Sequence, residues 1–309
     1  MLKRFAVPTM ALFAASIAPY LLRAQATAPA QSSGQPEAAA NADKWKTEKW
    51  NTSSAPESYW ENMKSEPAPK HDLSGIWDAG GVPQGVQPNG AYEYPDDPEH
   101  VGHDVPYSAL GKEARLKNKP GTGMGQFPVA EVNDPVDYCD PAGMPRSDLF
   151  ELRVIEIVPR KTDQIVILNQ HNDTWRIIWT DGRELPKDPA PRWNGYAVGK
   201  WVDDYTFVAN YIGMDPRTWL DNVGRPHSDA LKVEERWHRV NADTLELTVT
   251  IDDPKFYTQP WKAMDRFVLH RLPDSFDISE FICSATETAE YNRLVGKPVG
   301  PTPADSTDK

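Results

Sequence analysis

Residues 165 to 180 read IVILNQHNDTWRIIWT, and this stretch decides the fold. Two runs rich in β-branched and aromatic residues flank His171, Asn172, Asp173 and Thr174, and Asn and Asp tolerate the backbone angles a tight turn demands. Such a turn reverses the chain at once, so the two runs are expected to pair as antiparallel strands. Side chains alternate across a strand, which puts Ile165, Ile167, Asn169 and His171 on one face and Val166, Leu168 and Gln170 on the other. Beyond the turn, Trp175, Ile177 and Trp179 form one row, and Arg176, Ile178 and Thr180 the other.

The same grammar runs outward in both directions. Strand-like runs are expected at 149–158, 196–201, 205–211, 231–240, 245–251, 263–272 and 278–283, with a first strand at Gly75-Ile76-Trp77. Turns rich in Asp and Asn recur at 161–164 (KTDQ), 202–205 (VDDY) and 241–244 (NADT), and no amphipathic helix of normal length intervenes. About ten consecutive strands joined this way form an antiparallel meander, and closing it into a barrel removes the exposed edges. The fold class is therefore all-β, a closed barrel of about 8–10 strands over residues 73–288. Residues 80–147, dense in Pro and Gly, form a long irregular insertion that is expected to be functional or to wrap the surface.

The Gly75-x-Trp77 motif on a first strand, followed by this meander and by an arginine on a late strand, resembles the lipocalin-like, or calycin, barrels. In that family the tryptophan closes one end of the barrel and an arginine packs over it. The resemblance implies those roles for Trp77 and for Arg266 or Arg271, and a ligand pocket at the opposite mouth. The chain departs from ordinary lipocalins in its length, its insertion and its N-terminal arm. The blocks WTDGRELPKDP (179–189) and VEERWHRVNADTLELTVTIDDP (233–254) also resemble a group of secreted bacterial proteins of unassigned activity, which implies no mechanism.

Outside the barrel, Lys3 and Arg4 precede an apolar run from Phe5 to Leu22, with the small residues Ala24 and Ala26 in Ala24-Gln25-Ala26, so residues 1–26 are expected to be a signal peptide. Residues 27–42 read as a disordered linker, 43–72 as an arm carrying Trp45, Trp50, Tyr59 and Trp60, and 289–309 as a flexible tail. The expected location is periplasmic or extracellular, without membrane insertion. Cys139 and Cys283 are expected to form a disulfide in that oxidising setting, the alternative being two separate buried thiols. A net charge of −12, more negative once Lys3, Arg4 and Arg23 are removed, argues against nucleic acid as a partner. Oligomeric state is not legible.

The candidate chemistry gathers at the end opposite Trp77. His171 ends an apolar row at a hairpin and reads as a general base or as a solvated turn residue. The irregular segment from Tyr211 to Ala230 supplies Trp219, Asp221 and His227, and would form a loop over the mouth. On the strand that follows, Glu235 is the lone carboxylate in a row with Leu231, Val233 and Trp237. If that row faces inward, burial raises its pKa as an acid or base needs; the alternative is a structural ion pair with an arginine. Arg176, Arg236 and Tyr257 complete the set as substrate-binding groups, while Asp252 and Asp253 before Pro254 read first as a turn cap. His100 and His103 fall short of a zinc signature, and no phosphate-cradling loop or nucleophile elbow appears, so no metal or organic cofactor is expected.

Two main readings follow. One is a secreted, cofactor-independent enzyme of lyase or isomerase type that moves protons on a small apolar or phenolic molecule, with His171, His227 and Glu235 as its acid–base groups. The other is a non-catalytic carrier of a small hydrophobic ligand; an envelope structural protein is a third. The density of ionisable residues between 210 and 253 favours catalysis, and that reading requires the three groups to converge on one cavity.

Overall fold

The computed structural model describes residues 64–79, 105–121, 126–128, 131–150, 152–161, 163–291 and 293–294, all within one compact unit, Ala42–Lys309. The leader, the linker, most of the arm, His100, His103 and the tail beyond 294 lie outside the described residues. Nine strands close into a barrel: β1 Gly75–Asp78, β2 Ile155–Arg160, β3 Gln164–Asn169, β4 Thr174–Trp179, β5 Tyr196–Trp201, β6 Thr206–Ile212, β7 Lys232–Arg239, β8 Thr244–Asp252 and β9 Trp261–Arg271. Each strand pairs with its sequence neighbour, and β1 closes the ring against β9 through Trp77 with Arg271 and Asp78 with His270. The architecture is compatible with a calycin-like fold.

The expected hairpin at 165–180 forms, with Ile165 opposite Ile178 and Asn169 opposite Thr174. One pair departs from the meander. Strands β4 and β5 run parallel, in register at Ile178 with Ala197 and Trp179 with Val198. The physical reason is the connection: residues 180–195 are no tight turn, and they carry the chain back along the barrel before β5 begins. Gly195 makes the final corner at φ +60°, where a Cβ would lie 2.5 Å from the Ile212 carbonyl oxygen. Two expected strands also shrink. Residues 146–149 form a short helix ahead of β2, and 278–283 contributes only a bridge from Phe281 to His171.

The lumen is a packed core. Ile155, Ile157, Phe207, Tyr211, Val233, Trp237, Leu247 and Val249 all point inward and are buried. The row Val233, Glu235, Trp237 and Arg239 thus faces the interior, as do Arg176 and Ile178, whereas Trp175, Ile177 and Trp179 face out.

The end bearing the β2–β3, β5–β6 and β7–β8 turns is closed. Trp77 is fully buried there and its indole N–H donates to the Leu73 carbonyl oxygen at 3.1 Å. The arginine over its ring is neither Arg266 nor Arg271 but Arg239, at the end of β7, with its guanidinium carbon 4.4 Å from the ring centroid. Closure explains the exchange. Arg271 is the backbone partner of Trp77, and Arg266 sits at φ +51° beside the bulge in the β8–β9 ladder, whereas Arg239 is on an inward-facing row.

The opposite end carries the long connections. Through it pass the stretch between β1 and β2, residues 213–231 between β6 and β7, and residues 253–260 between β8 and β9. Helices α1 (Ala109–Arg115) and α2 (Arg146–Leu149) belong to the first of these, and α3 (Ala285–Tyr291) follows the barrel. Cys139 and Cys283 form the expected disulfide, with Cα atoms 5.5 Å apart, tying the chain after β9 to the β1–β2 connection. Among the described residues, no helix is long and apolar enough to cross a membrane.

Candidate functional site

The α2 segment plugs the open end. Arg146 forms a buried two-pronged pair with Asp134, both contacts at 2.7 Å, which anchors the helix. From the same turn Asp148 reaches inward to Arg176 Nη2 of β4, 2.9 Å away, and the same nitrogen meets Glu235 of β7, also at 2.9 Å. Strands β4 and β7 are not neighbours, so this ion pair spans the lumen. Glu235 also accepts hydrogen bonds from the Tyr211 hydroxyl at 2.7 Å and the Trp237 indole at 2.9 Å. Arg176 donates further to Ser147 Oγ at 3.0 Å and contacts Met144 Sδ at 2.7 Å.

The charges in this cluster do not balance: one guanidinium faces two carboxyl groups, and Asp148 and Glu235 are both 0 % exposed. Burial pushes the Asp148 carboxyl well above its usual range, and the Glu235 charge pushes it the same way, against the opposing pull of Arg176. Two oxygens, Asp148 Oδ2 and Glu235 Oε1, lack a hydrogen-bond donor, and the two side chains are hydrogen-bond neighbours. A proton on Asp148, the carboxyl whose pKa is raised, would supply that donor. A buried pair stands only when its charges and lone pairs are satisfied this way. At Tyr211 burial and Glu235 hold the phenol protonated, as a donor.

The remaining expected site residues fall in three other places. His227, Trp219 and Asp221 lie in the loop between β6 and β7 and Tyr257 packs onto it from the β8–β9 connection, and each is consumed by bonds within this region. His227 bonds to the Thr218 hydroxyl at 2.7 Å and to the Ser228 carbonyl oxygen, and burial lowers its pKa. Asp221 pairs with Arg225, Trp219 bridges to Pro226, and the Tyr257 hydroxyl donates to the Pro226 carbonyl at 2.6 Å. Asp253 caps this region, accepting from the Ser228 amide and hydroxyl and from the Lys255 amide, as the turn-cap reading expects. His171 lies against Phe281, ring centroids 5.2 Å apart. Arg236 faces outward and pairs with Glu234 at 3.5 Å. Neither histidine is a partner of Glu235, whose contacts are Arg176, Asp148, Tyr211 and Trp237.

What the sequence did not disclose is a cleft in the barrel wall. Because β4 and β5 pair only at their overlap, the connection 180–195 folds over the seam and encloses about 620 Å³. Its lining includes Trp175, Trp179, Trp193, Tyr196, Arg192 and, at the inner wall, Arg176. Met144 ties cleft to plug: its amide donates to the Trp193 carbonyl at 3.0 Å while its sulfur touches Arg176. The volume falls within the range that holds a small organic molecule, whereas a second cavity, at the closed end beside Trp201, is about 250 Å³. The outward row Trp175, Ile177 and Trp179 was the available signal, since large apolar side chains on a strand's outer face need a cover. Asp148 had none, because its position beside Arg176 is set by a tertiary fold of the β1–β2 connection.

Among the described residues, no group of His, Cys, Asp and Glu is arranged to hold a metal ion. No model of a known protein family matches the chain, and no curated protein matches it either.

Proposed function

We propose that the protein is a secreted binding protein that holds a small molecule in the cleft between β4 and β5. One observation carries the reading: Arg176 is common to the cleft lining and to the buried Asp148–Glu235 pair. The guanidinium itself faces the lumen and is 2 % exposed, so the two carboxyl groups fix the β4 wall of the cleft from behind, and binding costs little reordering. The filled lumen argues in the same direction, because the barrel itself leaves the wall cleft as the place for a ligand. The disulfide and the leader-like N-terminus support export, and the Trp77 closure supports kinship with lipocalin-like barrels. Native mass spectrometry of protein purified from its own source tests the reading. A bound small molecule that is lost in Trp175→Ala supports it, and retention by that variant rejects it.

A second reading keeps acid–base catalysis of lyase or isomerase type, with the Asp148–Arg176–Glu235 cluster as its proton store. The raised pKa of Asp148, a carboxyl in contact with Arg176 and Glu235, favours it. Under this reading Glu235→Gln abolishes turnover of the bound molecule while leaving its affinity within a few-fold; under the carrier reading no turnover occurs in either protein.

A further inference from the structure

We infer that the cleft's occupant is a neutral sugar whose ring lies on the face of Trp175; the inference rests on the cleft being the binding site. A pyranoside has an apolar C–H face and a rim of hydroxyl groups. It therefore calls for an open aromatic platform with planar polar groups at the edge, without net charge.

The cleft meets each requirement. Trp175 is 58 % exposed, and no ring or guanidinium stacks on it among the described residues. The electron-rich face of an indole attracts the weakly positive hydrogens of a C–H surface, as it does other positive edges. The other aromatic walls already carry arginines: Arg183 lies 3.3 Å over Trp179, Arg192 4.0 Å over Tyr196, and Arg217 4.5 Å over Trp193. Stacking fixes these guanidinium planes, and a fixed fork of N–H donors suits neighbouring hydroxyl oxygens.

The charge balance separates a sugar from an acid. Arg183 is taken by Asp181 and Arg217 by Asp215, at 2.6 and 2.7 Å. Arg176 is matched internally by its two carboxyl groups. That leaves Arg192 and Glu184, both lining the cleft and both exposed, with no ion-pair partner among the described residues. An anion meets Glu184 and a cation meets Arg192, whereas hydroxyl groups donate to the one and accept from the other.

The test titrates the full protein with di- to tetrasaccharides of the cello-, xylo-, malto- and chito-series. Binding is followed by saturation-transfer NMR and tryptophan fluorescence, with 4-hydroxycinnamate as the anionic aromatic comparison. The expected result is binding of at least one series that is insensitive to salt. It weakens at least tenfold in Trp175→Ala and several-fold in Arg192→Gln, and both variants sit on exposed positions and keep the wild-type melting temperature. If 4-hydroxycinnamate binds with Trp175 dependence and no saccharide does, the sugar assignment is overturned while the cleft stands. If no probe gives a Trp175-dependent signal, both are overturned.

Discussion

Arg176 and Arg239 project into the same lumen, and almost everything else about them differs. Arg239, at the closed end, lies over Trp77 and donates to carbonyl oxygens: those of Asn241 and Ala242 at 2.9 and 2.6 Å, and more distantly those of Asp72 and Ser74. Burial and the charge of Arg271 push its pKa down to about 10. Arg176 meets carboxyl groups; there Asp148 and Glu235 outweigh burial, which alone would lower its pKa, and the net shift is upward. A guanidinium held by carbonyls and an aromatic face is a cap with its donors spent on the backbone. A guanidinium held by two carboxyl groups behind the β4 wall fixes the inner face of a strand whose outer face, Trp175 and Trp179, lines the cleft.

The largest effect is expected from Arg176→Met, which strands two buried carboxyl groups. Loss of about 3–5 kcal/mol in chemical denaturation is expected, with ligand binding abolished in whatever fraction folds. Arg239→Met comes next, at about 2 kcal/mol, from the lost stack on Trp77 and unsatisfied carbonyls. Its ligand affinity stays at the wild-type value, and a loss there would show that the two ends are coupled. Asp148→Asn is expected to stay within about 1 kcal/mol of wild type, because the amide N–H₂ stands in for the carboxyl proton.

The pH dependence separates that variant from the others. Asp148 has its pKa raised in the folded state above the unfolded value near 3.8, so its stabilisation is full in acid and is lost as pH rises through the raised value. His227 is lowered below 6.5, so its contribution is lost as pH falls below 6.5. Denaturation midpoints across pH are expected to show Asp148→Asn removing the fall in stability that sets in as pH rises above about 3.8; a fall unchanged by the substitution would place the proton elsewhere. The smallest effect on stability belongs to Trp175→Ala, within about 0.5 kcal/mol for an exposed residue, although its effect on binding is large.

Most of the barrel was legible because alternation and Asx turns are local: the 165–180 hairpin and the row of Glu235 follow from period and turn chemistry, whereas the Trp77 closure was implied by the lipocalin-like resemblance. The parallel β4–β5 seam was not, since a sixteen-residue connection does not announce its direction, and the cleft depends on that seam. Glu235 and Arg176 were legible as an isolated charge in an apolar row and as a companion of Ile178, but their pairing across the lumen was a matter of tertiary geometry. His227, Trp219 and Asp221 fall in one dense loop, with Tyr257 packed onto it from the β8–β9 connection, yet that loop's polar groups bond within it and to adjoining residues. Charged density in sequence does not distinguish a site from a self-satisfied plug.

The most direct test is to follow the indole N–H resonances of the tryptophans by NMR while a pooled library of small aromatic and saccharide fragments is added. Trp175, Trp179 and Trp193 line the cleft, whereas Trp77 and Trp201 lie at the closed end. Shifts confined to the first three are expected. Shifts at Trp77 or Trp201 with none in the cleft would contradict the assignment of the binding site.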